Sequence, residues 1–366
     1  MTLLISLIVG AIIARAGLAI SKYYGILDDP RRAKVYNRPR IPTIQGVTLF
    51  LAFLMILGGS LRYFEYNDYL LYLVVGAGSL VLMSTIEVYV KISALIRLLI
   101  QFAVVWLIIR YGGLYTELIQ FGSLKLELGK ILGTLVSFVW FILCINAINM
   151  FDGIEGQTSG VSAIGYTTIW AVLTYIVMPH FPNISAENLI VLETVQHASI
   201  ILAVLAWIYT YLESSNKCLL RDAWTYFYGF TLAYLSLLWW AKIGTLVVVF
   251  SLVIFDAIWV IFWRIFMMKK HPFKGDLTHV HHRLLVLKRS RGEVRAFVLI
   301  WSASMAVLML LQGTNSTNKR IIFLMMAVIF YGINVYLYLI KKKNPEYKLD
   351  DRVKEILNDS TYNDKN

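Results

Sequence analysis

Residues 130–156 read KILGTLVSFVWFILCINAINMFDGIEG. The first sixteen positions carry one charge at their start and are otherwise almost wholly apolar; the last eleven carry Asn146, Asn149, Asp152 and Glu155 at intervals of three. An apolar stretch of about 20 residues matches the thickness of a bilayer's hydrocarbon core when it is helical. This stretch therefore reads as a membrane span whose end turns polar where lipid gives way to water. A spacing of three keeps Asn146, Asn149 and Asp152 near one helical face. Gly153 and Gly156 allow the helix to stop tightly there.

The rest of the chain repeats the pattern. Of 366 residues, 58% are hydrophobic and 15% charged, with a mean hydropathy of +0.67. Soluble globular classes do not fit that balance. The expected fold is all-α, a polytopic membrane protein of about 11 transmembrane helices. The spans fall at 2–22, 43–62, 69–90, 93–112, 130–150, 157–179, 194–212, 223–240, 243–267, 295–312 and 320–340. They form one integral membrane domain, 1–340, followed by a short cytoplasmic tail, 341–366. No basic flank precedes the first apolar run, which argues against a cleaved signal peptide. Two cysteines, Cys144 and Cys218, exclude a disulfide framework.

The net charge of +12 is informative through its placement. Lys22, Arg31, Arg32, Lys34, Arg38 and Arg40 crowd the first loop, and Lys269, Lys270, Lys274, Arg283, Lys288, Arg289 and Arg291 the ninth. Cations concentrate on the cytoplasmic side of membrane proteins. The N-terminus is then outside and the C-terminus cytoplasmic. With that orientation five polar clusters share the cytoplasmic face: 25–42, 85–97, 146–156, 216–225 and 273–284. One site assembled from five loops accounts for this better than scattered loop residues do. A path through the bilayer, as a transporter needs, would spread polar groups in depth.

Each cluster has a chemistry and a plainer reading. His279, His281 and His282, with Asp276 and Arg283 around them, suit metal ligation, proton carriage or phosphate binding; a solvated polar loop is the alternative. Asp222 opens the eighth span and suits either a helix cap or a cation ligand. Asn146, Asn149 and Asp152 offer oxygens to a hard divalent cation or amide donors to phosphate. Asp256 lies inside the ninth span, where a structural pairing with Arg264 is expected.

Taken together, these residues resemble the polyprenyl-phosphate N-acetylhexosamine-1-phosphate transferases of the glycosyltransferase family 4 type. NAINMFDGIEG is similar to that family's N-x-x-N-x-x-D-G-x-D-G, with Glu155 for an Asp. DLTHVHHRL is similar to its D-R-x-H-x-H-H-x-L, in the form of the branch that uses UDP-N-acetylhexosamines. The resemblance runs from the N-terminus to about residue 312. It implies a membrane enzyme moving a sugar-1-phosphate from a UDP-sugar to polyprenyl (undecaprenyl) phosphate with release of UMP, for cell-envelope glycan synthesis. It implies catalytic roles for Asp222, Glu87 and Asp152, and Mg²⁺ (or Mn²⁺) held by Asp222 and Asn149. Substrate binding is implied for Lys34, Asn146, Asn149, His279, His281, His282 and Arg283. Expected partners are the UDP-sugar, the polyprenyl phosphate lipid, the membrane and a second copy in a homodimer, with no nucleic acid. The expected location is the inner or plasma membrane, multi-pass, with the active face cytoplasmic. The chain departs from the pattern at Val88, where a second acid is usual, and at Arg221 and Trp224, which flank Asp222 in place of glycines. A second reading follows from those departures: a catalytically impaired member that binds lipid or nucleotide and scaffolds glycan assembly.

Overall fold

A computed structural model describes residues 1–27, 40–43, 45–61, 66–90, 92–121, 124–180, 184–220, 222–238, 242–267, 269, 279–286, 290–312 and 316–343. The apolar runs form helices α1 (Thr2–Tyr23), α2 (Gln45–Ser60), α3 (Asp68–Tyr89), α4 (Ala94–Gly112), α5 (Gly129–Met150) and α6 (Gln157–Val172). A π-helical turn, Leu173–Val177, leads from α6 into the single turn α7 (Met178–His180). Then come α8 (Ala186–Ser214), α9 (Asp222–Leu237), α10 (Lys242–Val249) and α11 (Ser251–Phe262), which a π-helical turn extends to Met267. Helices α12 (Val280–Val286), α13 (Arg291–Gln312) and α14 (Ser316–Lys343) complete the chain.

Local chemistry sets several boundaries. The side chains of Asn67, Ser93 and Ser185 accept from the backbone N–H of Leu70, Ile96 and Asn188, capping α3, α4 and α8. Gly156, at φ 76°, takes the left-handed conformation between the polar end of α5 and the start of α6.

Helices α6, α8 and α9 form the centre. Helix α6 packs on α8 and α13, α5 and α3 on α9, and α1 on α2 and α8. Most of α6 is buried on every side. By contrast α1, α4 and α14 turn Leu7, Leu99 and Leu324 outward, as helices facing lipid do.

The helical expectation holds, with two differences. A small antiparallel hairpin, β1 (Leu118–Phe121) and β2 (Leu124–Glu127), follows α4 with Leu118 opposite Glu127, so the chain is not purely α. By length and composition, fewer than eleven helices also qualify as spans. Among the described residues, eight helices are long and apolar enough to cross a membrane, or nine if α10 and α11 are one broken span bent by 77°. The segments expected at 43–62 and 223–240 are helical but only 16 residues each as α2 and α9. At 1.5 Å per residue that is about 24 Å, short of the core of a typical bilayer.

Candidate active site

Helix ends build the site. The polar end of α5 meets the first turns of α4 and α9, the extension of α11 and the start of α12. They enclose a cavity of about 280 Å³ lined by Arg97 and Gln101 from α4, Asn146, Asn149 and Asp152 from the α5 end, Tyr226 from α9, Arg264, His279 and His282.

The α5 residues are held individually. Asn146 donates from Nδ2 to Gln101 Oε1 at 2.8 Å and to its own helix at Ile142 O, 2.9 Å. Asn149 donates from Nδ2 to Thr225 Oγ1 at 2.7 Å, which ties α5 to the first turn of α9. Asp152 accepts from Thr158 Oγ1 at 2.8 Å on α6. Glu155, the last of the series, turns away from the cavity: Arg291 Nη1 lies 2.9 Å from its Oε1, and Arg295 donates to its backbone carbonyl at 3.0 Å. Three members of the register therefore face the cavity, and the fourth anchors the turn to α13.

A buried carboxylate supports this wall from behind. Glu213, at the end of α8, accepts from Ser159 Oγ at 2.7 Å and from the backbone N–H of Leu220 at 3.1 Å. It links the start of α6 to the loop that leads into Asp222.

The three histidines separate in role. His279 and His282 line the cavity. His279 Nδ1 lies 2.7 Å from Asp256 Oδ2, while Arg264 Nη2 lies 3.5 Å from its Nε2. The pairing expected between Asp256 and Arg264 thus runs through His279. His281 is wholly buried with neither ring nitrogen hydrogen-bonded, edge-on to Phe151 at 5.3 Å and parallel to His279 at 5.5 Å. A Cβ on Gly153 would fall 2.0 Å from His281 Nε2, so the ring needs that glycine. Burial first, then His282 and His279, push its pKa well below the usual 6.5 and keep it neutral. Arg283 departs from its expected place. Both of its terminal nitrogens bond Asn334 of α14, one to the side chain and one to the backbone at 3.2 Å.

Glu87 also sits differently from a free acid. Its Oε1 is 3.0 Å from Arg97 Nη1, and Arg97 also reaches Tyr226 Oη at 3.4 Å. The cation rather than the carboxylate lines the cavity. Trp224 turns inward, stacked on Tyr209 with ring centroids 6.3 Å apart and almost no exposure, and is absent from the lining. Asp222 opens α9 one turn before Thr225, but the described side chains of α9 begin at Trp224. Lys34 and the tail beyond Lys343 lie outside the described residues. The stem of the first loop does reach the site's neighbourhood, since Leu219 N donates to Pro42 O at 3.0 Å.

Arg97 entered the sequence reading only as the end of the 85–97 cluster, and Gln101, Tyr226 and Arg264 had no site role in it. Gln101 and Arg264 left a signal, as polar side chains inside apolar runs; Tyr226 left none.

Residues 70–240 match the family described as glycosyl transferase family 4. Over that stretch the chain resembles this family. A probable undecaprenyl-phosphate N-acetylglucosaminyl 1-phosphate transferase of Bacillus subtilis (strain 168) is 28% identical over 344 residues, 91% of this chain and 88% of the relative. Undecaprenyl-phosphate alpha-N-acetylglucosaminyl 1-phosphate transferases of Escherichia coli (strain K12) and Yersinia pestis are each 26% identical. The first aligns over 92% of this chain and 90% of its own length, the second over 87% and 85%.

Proposed function

We propose that this chain transfers N-acetylhexosamine-1-phosphate from a UDP-sugar to polyprenyl phosphate, giving a polyprenyl-diphospho-sugar and UMP. The observation that carries the reading is the cavity's lining. Two arginines, two asparagines, a glutamine, two histidines and one carboxylate converge from five helix ends. That is a site for an anionic diphosphate, and phosphoryl transfer chiefly needs positioning and charge neutralisation. The names of the aligned relatives support the lipid phosphate and the transferred N-acetylhexosamine-1-phosphate.

In this reading Arg97 and Arg264 neutralise phosphate oxygens, and the asparagine and glutamine amides with His282 fix the diphosphate's orientation. An oxygen of the lipid phosphate attacks the sugar-bearing phosphorus, and the P–O bond to UMP breaks. Glu87 is occupied by Arg97, so the attacking phosphate enters already ionised rather than giving its proton to that acid. A magnesium ion fits the donor set. Asn149 and Asp152 bring oxygens of the hard-ligand type to the cavity wall, and Asp222 lies one helical turn from Thr225, the partner of Asn149's amide nitrogen. Asn149 and Asp222 would hold the ion, and Mn²⁺ would suit the same oxygens. When bound it would neutralise charge developing on the diphosphate. Lys34, from the first loop, would add a cation on the same face. The reading places the cavity at the cytoplasmic side of the plasma membrane, with the N-terminus outside and up to eleven helical passes.

The test is UMP release by purified protein with UDP-N-acetylglucosamine, undecaprenyl phosphate and Mg²⁺, against Asp152→Ala and Asp222→Ala. Turnover that both variants lose is the expected result. No UMP above those controls with any of several UDP-sugars overturns transfer; UDP-sugar binding that persists without metal would then mark a binding and scaffolding role.

A further inference from the structure

Asp256 stands on α11 and is almost completely buried, at 1% exposure. An ionised carboxylate is costly in such surroundings unless it is fully engaged. Both of its oxygens are used: Oδ2 lies 2.7 Å from His279 Nδ1, and Oδ1 accepts from the backbone N–H of Val280 at 2.8 Å. Those two contacts grip one residue's ring and the next residue's backbone at the start of α12. On the ring's other side Arg264, 2% exposed, points Nη2 at His279 Nε2 from 3.5 Å. A guanidinium only donates. The lone pair of the neutral ring therefore belongs at Nε2 and its hydrogen at Nδ1, where the carboxylate accepts it. A carboxylate behind an imidazole in this way fixes both tautomer and ring direction.

We propose that Asp256 is the positioning residue of this site: it locks His279 as the Nδ1–H tautomer and aims Nε2 with Arg264 into the cavity. Asp256 itself is not among the cavity's lining residues, whereas both groups beyond it are. The sugar-phosphate therefore meets Asp256 only through His279. The catalytic part of this inference rests on the transfer reaction proposed above; the tautomer part does not.

The experiment has two arms. In protein labelled with ¹⁵N-histidine, heteronuclear spectra distinguish Nδ1–H from Nε2–H rings, and His279 is assigned by the signal lost in His279→Gln. The unaltered protein is expected to show Nδ1–H at His279, and Asp256→Asn to shift it toward Nε2–H. In the UMP assay, Asp256→Asn is expected to lower kcat on the order of tenfold to a hundredfold, as outer residues that orient a working histidine do. Because it acts through His279, it should lower kcat no further in a His279→Gln background. An Nε2–H ring in the unaltered protein overturns the proposal, as does an Asp256→Asn loss that multiplies in full onto that of His279→Gln. If the unaltered protein releases no UMP, the transfer reading falls and the tautomer arm alone decides. If Asp256→Asn does not fold, the tautomer of the unaltered protein decides.

Discussion

At the scale of single residues, the site depends on what a side chain is not allowed to do. His281 is kept neutral in the fold, while in the unfolded chain it titrates near 6.5. The unfolded state then binds the extra proton, so His281's contribution to stability is complete above about pH 6.5 and declines as pH falls below it. Thermal unfolding of the detergent-solubilised protein at pH 7.5 and 5.5 should show a lower midpoint at the acid value, and His281→Asn should flatten that slope. Gly153 carries the complementary prediction. Its missing Cβ leaves the space for His281 Nε2, so Gly153→Ala should cost about 1–3 kcal/mol by overpacking. The same change should reduce UMP release, because displacing His281 disturbs His279 and His282 beside it. An unchanged unfolding midpoint and rate would refute both. Much of this scale was legible in the sequence. A register of three polar residues projected Asn146, Asn149 and Asp152 onto one face, and that face lines the cavity. The partner of Asp256 was not legible, because His279 reaches it across a loop and not at helical spacing. Arg283 misled for a related reason: adjacency to the histidines says nothing about its turn toward Asn334.

At the scale of elements, the ends of helices carry the chemistry and struts behind them hold those ends together. Glu213 is the clearest strut, bonded to Ser159 at the start of α6 and to Leu220 just before α9. Glu213→Ala would leave a buried hydroxyl and a buried N–H without that acceptor, each costing about 1–3 kcal/mol. The expected outcome is a lower unfolding midpoint together with an increased Mg²⁺ requirement for UMP release, as the α5 end and the start of α9 lose registry. A change in stability with no change in the Mg²⁺ titration would separate the strut from the site. Sequence periodicity located these helices well because each is a long apolar run. It passed over the hairpin, although Leu118–Glu127 holds two short runs on either side of Gly122-Ser123, a pair suited to a tight reversal. Four-residue strands in so apolar a chain stand out poorly against helix signals.

At the scale of the whole molecule, the sequence argument rested on charge: clusters distant in the chain shared one membrane face if the cation-rich loops did. The structure brings residues of four of those clusters, 85–97, 146–156, 216–225 and 273–284, to neighbouring helix ends, and the stem of the fifth touches Leu219. Orientation is directly testable across α8, with Glu187 in its first turn and Lys217 three residues past its last, both exposed. In a background lacking Cys144 and Cys218, Glu187→Cys should react with an impermeant maleimide in intact cells. Lys217→Cys should react only after permeabilisation, and the reverse pattern would invert the molecule. The span count was harder to read, because hydropathy sees composition and not where a helix stops: α2 is apolar enough but short, and α9 is equally short.

Helix α6 has a consequence for how such a molecule is made. It is the least apolar of the eight long spans, with Thr158, Ser159, Ser162 and Thr168 all buried among its neighbours. Its polar groups are tolerable in a bilayer once α8 and α13 enclose it, yet both of those helices leave the ribosome later. During synthesis α6 is therefore expected to partition more weakly than the other long spans until its enclosure arrives. A helix at the middle of the finished protein is, of the eight long spans, the one least suited to enter the membrane by itself.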